Sequence, residues 1–106
     1  MTIAIYPVSG SVTAVDTACR VNVTDAVMND EGAYNPLVYP TMPLISYYLS
    51  FEKTGADTLK SQVFQVAADG SFEFNSLSFP AAGSWAVHLR LVSDDSSVEH
   101  IDVTVA

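Results

Sequence analysis

Residues 83–106 read GSWAVHLRLVSDDSSVEHIDVTVA, and they carry the clearest strand pattern of the chain. Apolar and polar residues alternate on both sides of the polar segment SDDSS at 93–97. A period of two is typical of a strand with one face buried and the other in water. The stretch therefore predicts two β-strands joined by a hairpin turn.

The alternation also predicts the register of this hairpin. When the chain is folded about Asp95, Leu89 falls opposite Ile101 and Val87 opposite Val103. A slip by one residue would turn one apolar set toward water, so the two faces are well specified. The other expected pairs are Trp85 with Val105 on the inner face and His88 with Asp102 on an outer, solvated face that also carries Arg90, His100 and Thr104.

The rest of the chain repeats the pattern of short strands between turn signals, and helical periodicity is nearly absent. About seven antiparallel strands in two sheets predict an all-β class, a β-sandwich built by a single domain over residues 1–106. The other expected strands cover residues 2–6, 12–15, 18–24, 44–51 and 59–66, and a further strand starts over 72–74, with apolar residues continuing at Leu77 and Phe79.

Individual side chains can be assigned to faces in two of these strands. Cys19, the one cysteine of the chain, is expected in the core and cannot form an intrachain disulfide. In the strand over 44–51, Tyr47 belongs to the apolar face, while Tyr48 and Ser50 belong to the opposite face.

The charge balance excludes some classes of partner. Four basic residues stand against twelve acidic ones, which gives a formal charge of −8. Phosphate backbones and anionic membrane surfaces are held by clusters of Lys and Arg, so neither nucleic acid nor membrane is an expected partner. The N-terminus lacks the charged and long apolar regions of a secretory signal, so we expect synthesis in the cytoplasm.

Residues 25–43 break the alternation and form the long connection of the sandwich. This connection has no Lys or Arg, and three prolines restrict its backbone. Long irregular loops are often functional, and Tyr and Met are common at the centre of interfaces. The sequence leaves open whether the loop contacts a partner or covers the core; the candidate partner contacts are Met28, Tyr34, Leu37, Tyr39 and Met42.

No constellation for catalysis stands out, so an enzyme is not expected. Ser84 follows a glycine but has no nucleophile-elbow motif, and His88 lies on the same strand. Asp94 and Asp95 offer hard oxygens to Ca²⁺, without the spacing of an EF-hand, and an ordinary polar turn is the simpler interpretation. We therefore predict no catalytic residue, cofactor or metal ligand, and Ca²⁺ at the turn is left open.

The C-terminal segment resembles the last two strands of immunoglobulin-like and fibronectin type III-like modules of bacteria and their phages. The matching features are Pro80, Gly83, the aromatic Trp85, the alternating apolar residues and the Asp-rich turn. The corner aromatic is Trp85, where such modules usually carry Tyr, and no cysteine pair links the sheets. The resemblance implies an immunoglobulin-like β-sandwich.

The resemblance also implies a function. Small acidic domains of this kind look like accessory virion proteins of tailed bacteriophages, made in the host cytoplasm. The expectation is a non-enzymatic structural protein, a capsid decoration protein, that binds the major capsid protein or another virion protein through loops and a sheet edge. A phage tail accessory domain, a surface- or carbohydrate-binding module of a bacterial adhesin, and homo-oligomerisation on the particle are alternatives that the sequence leaves open.

Overall fold

The computed structural model describes residues 2–7, 15–16, 18–30, 35–38 and 41–106, and these ranges contain seven strands and no helix. The predicted all-β class with two antiparallel sheets is confirmed. Of the strand expected over 12–15, Val15 alone is described, and it forms a parallel bridge with Phe79. The strands are β1 (Thr2–Pro7), β2 (Cys19–Thr24), β3 (Tyr47–Glu52), β4 (Leu59–Lys60), β5 (Phe72–Leu77), β6 (Gly83–Leu91) and β7 (Ser97–Val105).

One sheet has the order β1-β2-β5 and the other has the order β4-β3-β6-β7. Their apolar residues form one core, in which Cys19 is fully buried as expected. Phe64, from the segment after β4, links the two sheets. Its ring centroid lies 4.3 Å from that of Phe72 of β5 and 6.1 Å from that of Tyr47 of β3, and the rings are stacked in both pairs. The best-buried members are Cys19, Val21 and Val23 in the first sheet and Tyr47, Leu49, Trp85, Val87 and Leu89 in the second.

Trp85 is the largest fully buried side chain and closes the end of β6 against the core. Its indole ring lies 5.5 Å from the ring of Phe79, between centroids. Its Nε1–H donates to the Ala81 carbonyl oxygen, four residues upstream, at 3.0 Å. A buried Trp requires a partner for this N–H, and the backward bond supplies it within the same turn of the chain.

The hairpin of β6 and β7 has the predicted faces but not the predicted pairs. Trp85 lies opposite Val103 and Val87 opposite Ile101, two residues away from the expected register. The turn closes earlier than expected, because Leu91 N–H donates to the Ser96 carbonyl oxygen at 3.0 Å. A shift by two keeps every side chain on its face. The predicted pairs Leu89–Ile101, Val87–Val103, Trp85–Val105 and His88–Asp102 are therefore wrong, and His88 instead faces His100.

The strand expected over 59–66 is mostly absent, since β4 contains two residues and the pairing resumes at a single bridge between Tyr47 and Phe64. β3 itself starts at Tyr47 rather than at residue 44. Both of its faces are buried: Tyr48 and Ser50, on the face opposite the core, are 7% and 1% exposed. The polar face of β3 is thus covered by other side chains, which the alternation alone does not indicate.

Gly70 joins the turn before β5 to the start of the β2–β3 connection. Its carbonyl oxygen accepts the Ala26 N–H at 3.0 Å, and its φ is +81°. A Cβ at this position would lie 2.5 Å from the Ala26 carbonyl oxygen and 2.7 Å from its nitrogen. Gly55, with φ +83°, has nothing within 4 Å of the same point.

These two glycines give a matched pair for a stability test. Gly55→Ala is expected to lower the free energy of unfolding by about 1–2 kcal/mol, the cost of a left-handed backbone for an L-residue. Gly70→Ala should cost ~1–3 kcal/mol more, because main chain must move to admit the methyl group. Urea denaturation measures both values, and equal losses would contradict the close approach to Ala26.

Candidate functional site

The long connection between β2 and β3 is anchored at its base. Tyr47, the first residue of β3, donates its hydroxyl hydrogen to the Val27 carbonyl oxygen at 2.6 Å. Burial raises the pKa of Tyr47, so the hydroxyl stays protonated and remains a donor. The Ile45 amide donates to the Met28 carbonyl oxygen at 2.9 Å, and both side chains pack against the core. The two ends of the connection therefore form a short ribbon fixed to the sandwich.

The tip of this connection is a turn over residues 35–38 that displays two apolar side chains. Asn35 accepts the Leu37 N–H with its side-chain Oδ1 and the Val38 N–H with its carbonyl oxygen, both at 3.0 Å. Pro36 fixes φ at the second position of the turn. Leu37 is 94% exposed and Val38 is 67% exposed. Val38 is not one of the predicted contacts. The pair Asn35-Pro36 favours a turn, and a turn at this position indicates that both Leu37 and Val38 are exposed.

The five predicted contact residues lie in different surroundings. Leu37 is at the exposed tip. Met28 packs against the core, and Met42 is half-buried near the ribbon. Tyr34 and Tyr39 lie outside the described residues. The base of the connection therefore covers the core, and its tip at residues 35–38 faces outward, where a partner could reach it.

Two further loops lie at the same end of the sandwich. The Ala26 N–H bonds to Gly70 in the β4–β5 connection, and Val92 N–H, in the β6–β7 turn, donates to the Ser46 carbonyl oxygen at 3.0 Å. All three connections are therefore joined by main-chain hydrogen bonds, and we call their described residues, 25–30, 35–38, 41–46, 61–71 and 92–96, the loop end. A cleft of about 250 Å³ between two of them is lined by Asp30, Leu44, Ile45, Ser46, Val92 and Ser93.

A polar network covers the outer face of β3 and holds the β6–β7 turn. The Arg90 guanidinium donates through Nε to Ser50 Oγ at 3.0 Å, through Nη2 to Glu52 Oε2 at 2.9 Å and through Nη1 to the Asp95 carbonyl oxygen at 2.9 Å. Tyr48 donates its hydroxyl hydrogen to Asp95 Oδ1 at 2.7 Å. Asp95 has a φ of +60°, and these two bonds hold it in that left-handed conformation.

The network changes the proton affinity of its members. The hydrogen bond from Arg90, together with one from Ser50 at 2.7 Å, lowers the pKa of Glu52 below its ordinary value of 4.5. The hydrogen bond to Asp95, followed by burial, raises the pKa of Tyr48. Both shifts keep Glu52 charged and Tyr48 neutral at neutral pH, so the network is complete under those conditions.

The recess above this network has a volume of about 340 Å³, and Lys60 and Thr58 complete its wall. It offers no open aromatic face, because Tyr48 is 7% exposed and the Lys60 ammonium lies 5.5 Å from its ring centre. Stacking on an open aromatic ring is one way in which a protein binds a planar apolar surface. The recess therefore gives no specific support to the carbohydrate-binding alternative.

The two histidines form a stacked pair beside the network. The rings of His88 and His100 lie 5.3 Å apart with an angle of 26° between their planes. His88 Nδ1 lies 2.8 Å from Ser97 Oγ, and its Nε2 lies 3.7 Å from Glu52 Oε2. The outer face expected from the sequence is therefore solvated at His100, Asp102 and Thr104, whereas His88 and Arg90 are half-buried.

The acidic turn uses its carboxylates within the chain. Asp94 Oδ1 accepts hydrogen bonds from Ser96 N–H at 3.0 Å and Ser96 Oγ at 2.7 Å, and these bonds lower its pKa. In the described part of the chain, no group of three or more His, Cys, Asp or Glu residues is arranged to hold a metal ion. Within the same ranges, no helix has the length and apolarity needed to cross a membrane.

Comparisons of the chain with models of protein families, with curated proteins and with solved structures found no match. The two sheets, the loop end and the outer-face network are thus the observations from which a function has to be argued. The immunoglobulin-like family suggested by the C-terminal hairpin stays a prediction.

The lowered pKa of Glu52 predicts a pH-dependent stability. A carboxylate whose pKa falls on folding stabilises the native state above its ordinary value of 4.5, and this contribution is lost as pH falls through the lower, native pKa. Glu52→Gln is therefore expected to be less stable than the wild type at pH 7, and the difference should shrink under acid conditions. Urea denaturation of both proteins from neutral to acid pH measures this difference in the free energy of unfolding. Asp69 and Asp94, whose pKa values are also lowered, are present in both proteins, so their contributions cancel. A difference that does not depend on pH would contradict the Glu52–Arg90 pairing.

Proposed function

We propose that the sandwich is immunoglobulin-like. The order β1-β2-β5 with β4-β3-β6-β7 corresponds to the seven-strand arrangement of that fold, except that the fourth strand joins the second sheet. The bond from Trp85 Nε1 to the Ala81 carbonyl oxygen is similar to the tyrosine corner, in which a corner aromatic bonds to main chain a few residues upstream. Both features support the resemblance that the C-terminal hairpin suggested.

We propose further that the chain is a non-enzymatic structural protein that binds a protein partner through its loop end. The observation that carries this proposal is the display of Leu37 and Val38, 94% and 67% exposed, on a hydrogen-bonded turn. Adjacent exposed apolar side chains form a contiguous apolar surface, and such surfaces often mark sites of protein–protein contact. A turn fixed by Pro36 and by Asn35 loses little further entropy on docking, which favours affinity.

The setting that we propose is a bacteriophage virion, with the major capsid protein or another virion protein as the partner. This part of the proposal comes from the resemblance of residues 80–106 to modules of bacteria and their phages. Capsid decoration is the first choice and a tail accessory role the second. A surface-binding module of an adhesin is the alternative, and it differs in that its gene would encode further domains on either side.

The proposed contact is tested with two variants. The double variant Leu37→Ser/Val38→Ser removes the apolar tip, and the control Leu59→Ser/Val98→Ser removes two apolar side chains, each 38% exposed, from β4 and β7, outside the loop end. Burying each tip side chain contributes about 1.5–3 kcal/mol, so the double variant should bind at least about 100-fold more weakly. The control should bind like the wild type, and thermal unfolding should be nearly unchanged in all three.

Binding is measured by sedimentation of purified protein with particles assembled without it. If such particles have the same mass and shape as complete ones and do not take up the pure protein, the virion setting is lost. If they take up the double variant as well as the wild type, the tip is not the contact.

A further inference from the structure

The loop end carries a one-sided charge as well as an apolar tip. Its described residues include five of the twelve acidic residues of the chain and none of the four basic ones. The acidic members are Asp25, Asp30, Asp69, Asp94 and Asp95. The strand order brings the three segments together, so the described part of this end carries carboxylates and no Lys or Arg.

The basic residues are placed elsewhere. Arg20 on β2 pairs with Glu73 at 3.2 Å. Lys53 directly follows β3, and Lys60 is the last residue of β4. Arg90 is closest to the loop end, but its three donors are bonded to Ser50, Glu52 and the Asp95 carbonyl oxygen. Lys60 and Arg90 line one recess with Asp95, but among the described residues no Lys or Arg forms an ion pair with Asp25, Asp69 or Asp94.

Three carboxylates of the loop end are exposed, and two of them are held in place by hydrogen bonds within their turns. Asp25, Asp69 and Asp94 are exposed. Asp69 Oδ1 accepts from Ser71 N–H at 3.0 Å and from Ser71 Oγ at 2.6 Å, which lowers its pKa. Asp94 is held in the same way by Ser96. These turns present fixed negative charge at neutral pH at the same end of the sandwich as the apolar tip.

We infer that the partner surface is basic: a protein face with an apolar pocket for Leu37 and Val38, rimmed by Lys and Arg side chains. This inference rests on the proposed function. Complementary charge at the rim of an interface speeds the encounter and selects the partner, while the apolar centre supplies most of the affinity. The same charge disfavours a second copy of this chain as the occupant, because two loop ends would repel each other.

The probe is a random peptide library, selected separately on the wild type and on three variants. Asp25→Asn/Asp69→Asn/Asp94→Asn removes three charges from the loop end and keeps each Oδ1 acceptor, and Asn tolerates the left-handed backbone of Asp25, φ +56°. The matched control removes three exposed charges from other parts of the surface, Asp16→Asn/Asp57→Asn/Asp102→Asn. The third variant is Leu37→Ser/Val38→Ser.

We expect the wild type to enrich peptides in which Lys or Arg flanks large apolar residues. The loop-end charge variant should bind them at least about ten-fold more weakly at 0.1 M NaCl, and its affinity should change less than that of the wild type when the Debye length falls from ~10 Å to ~3 Å at 1 M. The control should match the wild type. The tip variant should bind none of them.

Other outcomes separate the two claims. Enrichment of neutral or acidic peptides, or equal binding by the two charge variants, overturns the basic partner and leaves the apolar contact standing if the tip variant still fails to bind. Peptides that bind the tip variant as well as the wild type overturn the proposed contact itself. A library that yields no enriched peptide counts against both claims.

Discussion

Two adjacent tyrosines at the start of β3 anchor two connections of the loop end to the sandwich. Because successive strand residues point to opposite faces, Tyr47 enters the core while Tyr48 enters the outer face. Tyr47 bonds to Val27 in the β2–β3 connection at 2.6 Å, and Tyr48 bonds to Asp95 in the β6–β7 turn at 2.7 Å. A single central strand therefore fixes two loops of the same end, one through each face of its sheet.

This arrangement requires that both faces of β3 be covered, and the two faces are covered differently. The core face is apolar. The outer face buries Ser50, and the Arg90–Glu52 pair satisfies its hydroxyl, which both donates and accepts. A buried polar group without such partners would cost about 1–3 kcal/mol, so the charged network is a condition for the central position of β3. The network has a second consequence, since Arg90 also holds the Asp95 carbonyl oxygen.

Much of the fold could be predicted from alternation, and the failures have identifiable physical causes. The alternation of apolar and polar residues predicts the faces of β2, β3, β6 and β7, because successive side chains of a strand point to opposite faces. It could not give the register of β6 and β7, which depends on a turn closed between Leu91 and Ser96 and on a bulge after Leu89. Nor could it show that Tyr48 and Ser50 are buried, because their partners lie far along the chain: Tyr48 bonds to Asp95, and Ser50 bonds to Arg90, forty residues away.

The loop end shows the same division between local and distant information. The Asn35-Pro36 turn is local, so the exposure of Leu37 was within reach of the sequence, and Val38 should have been included with it. The absence of cations from the β2–β3 connection was also visible. What the residues alone could not show is that two other cation-free segments lie beside it, since this follows from the strand order. On the proposed function, an apolar tip on a rigid base provides the contact, and the carboxylates at the same end of the sandwich determine which surfaces it can approach. On this proposal, the large negative charge of the chain complements a basic partner surface.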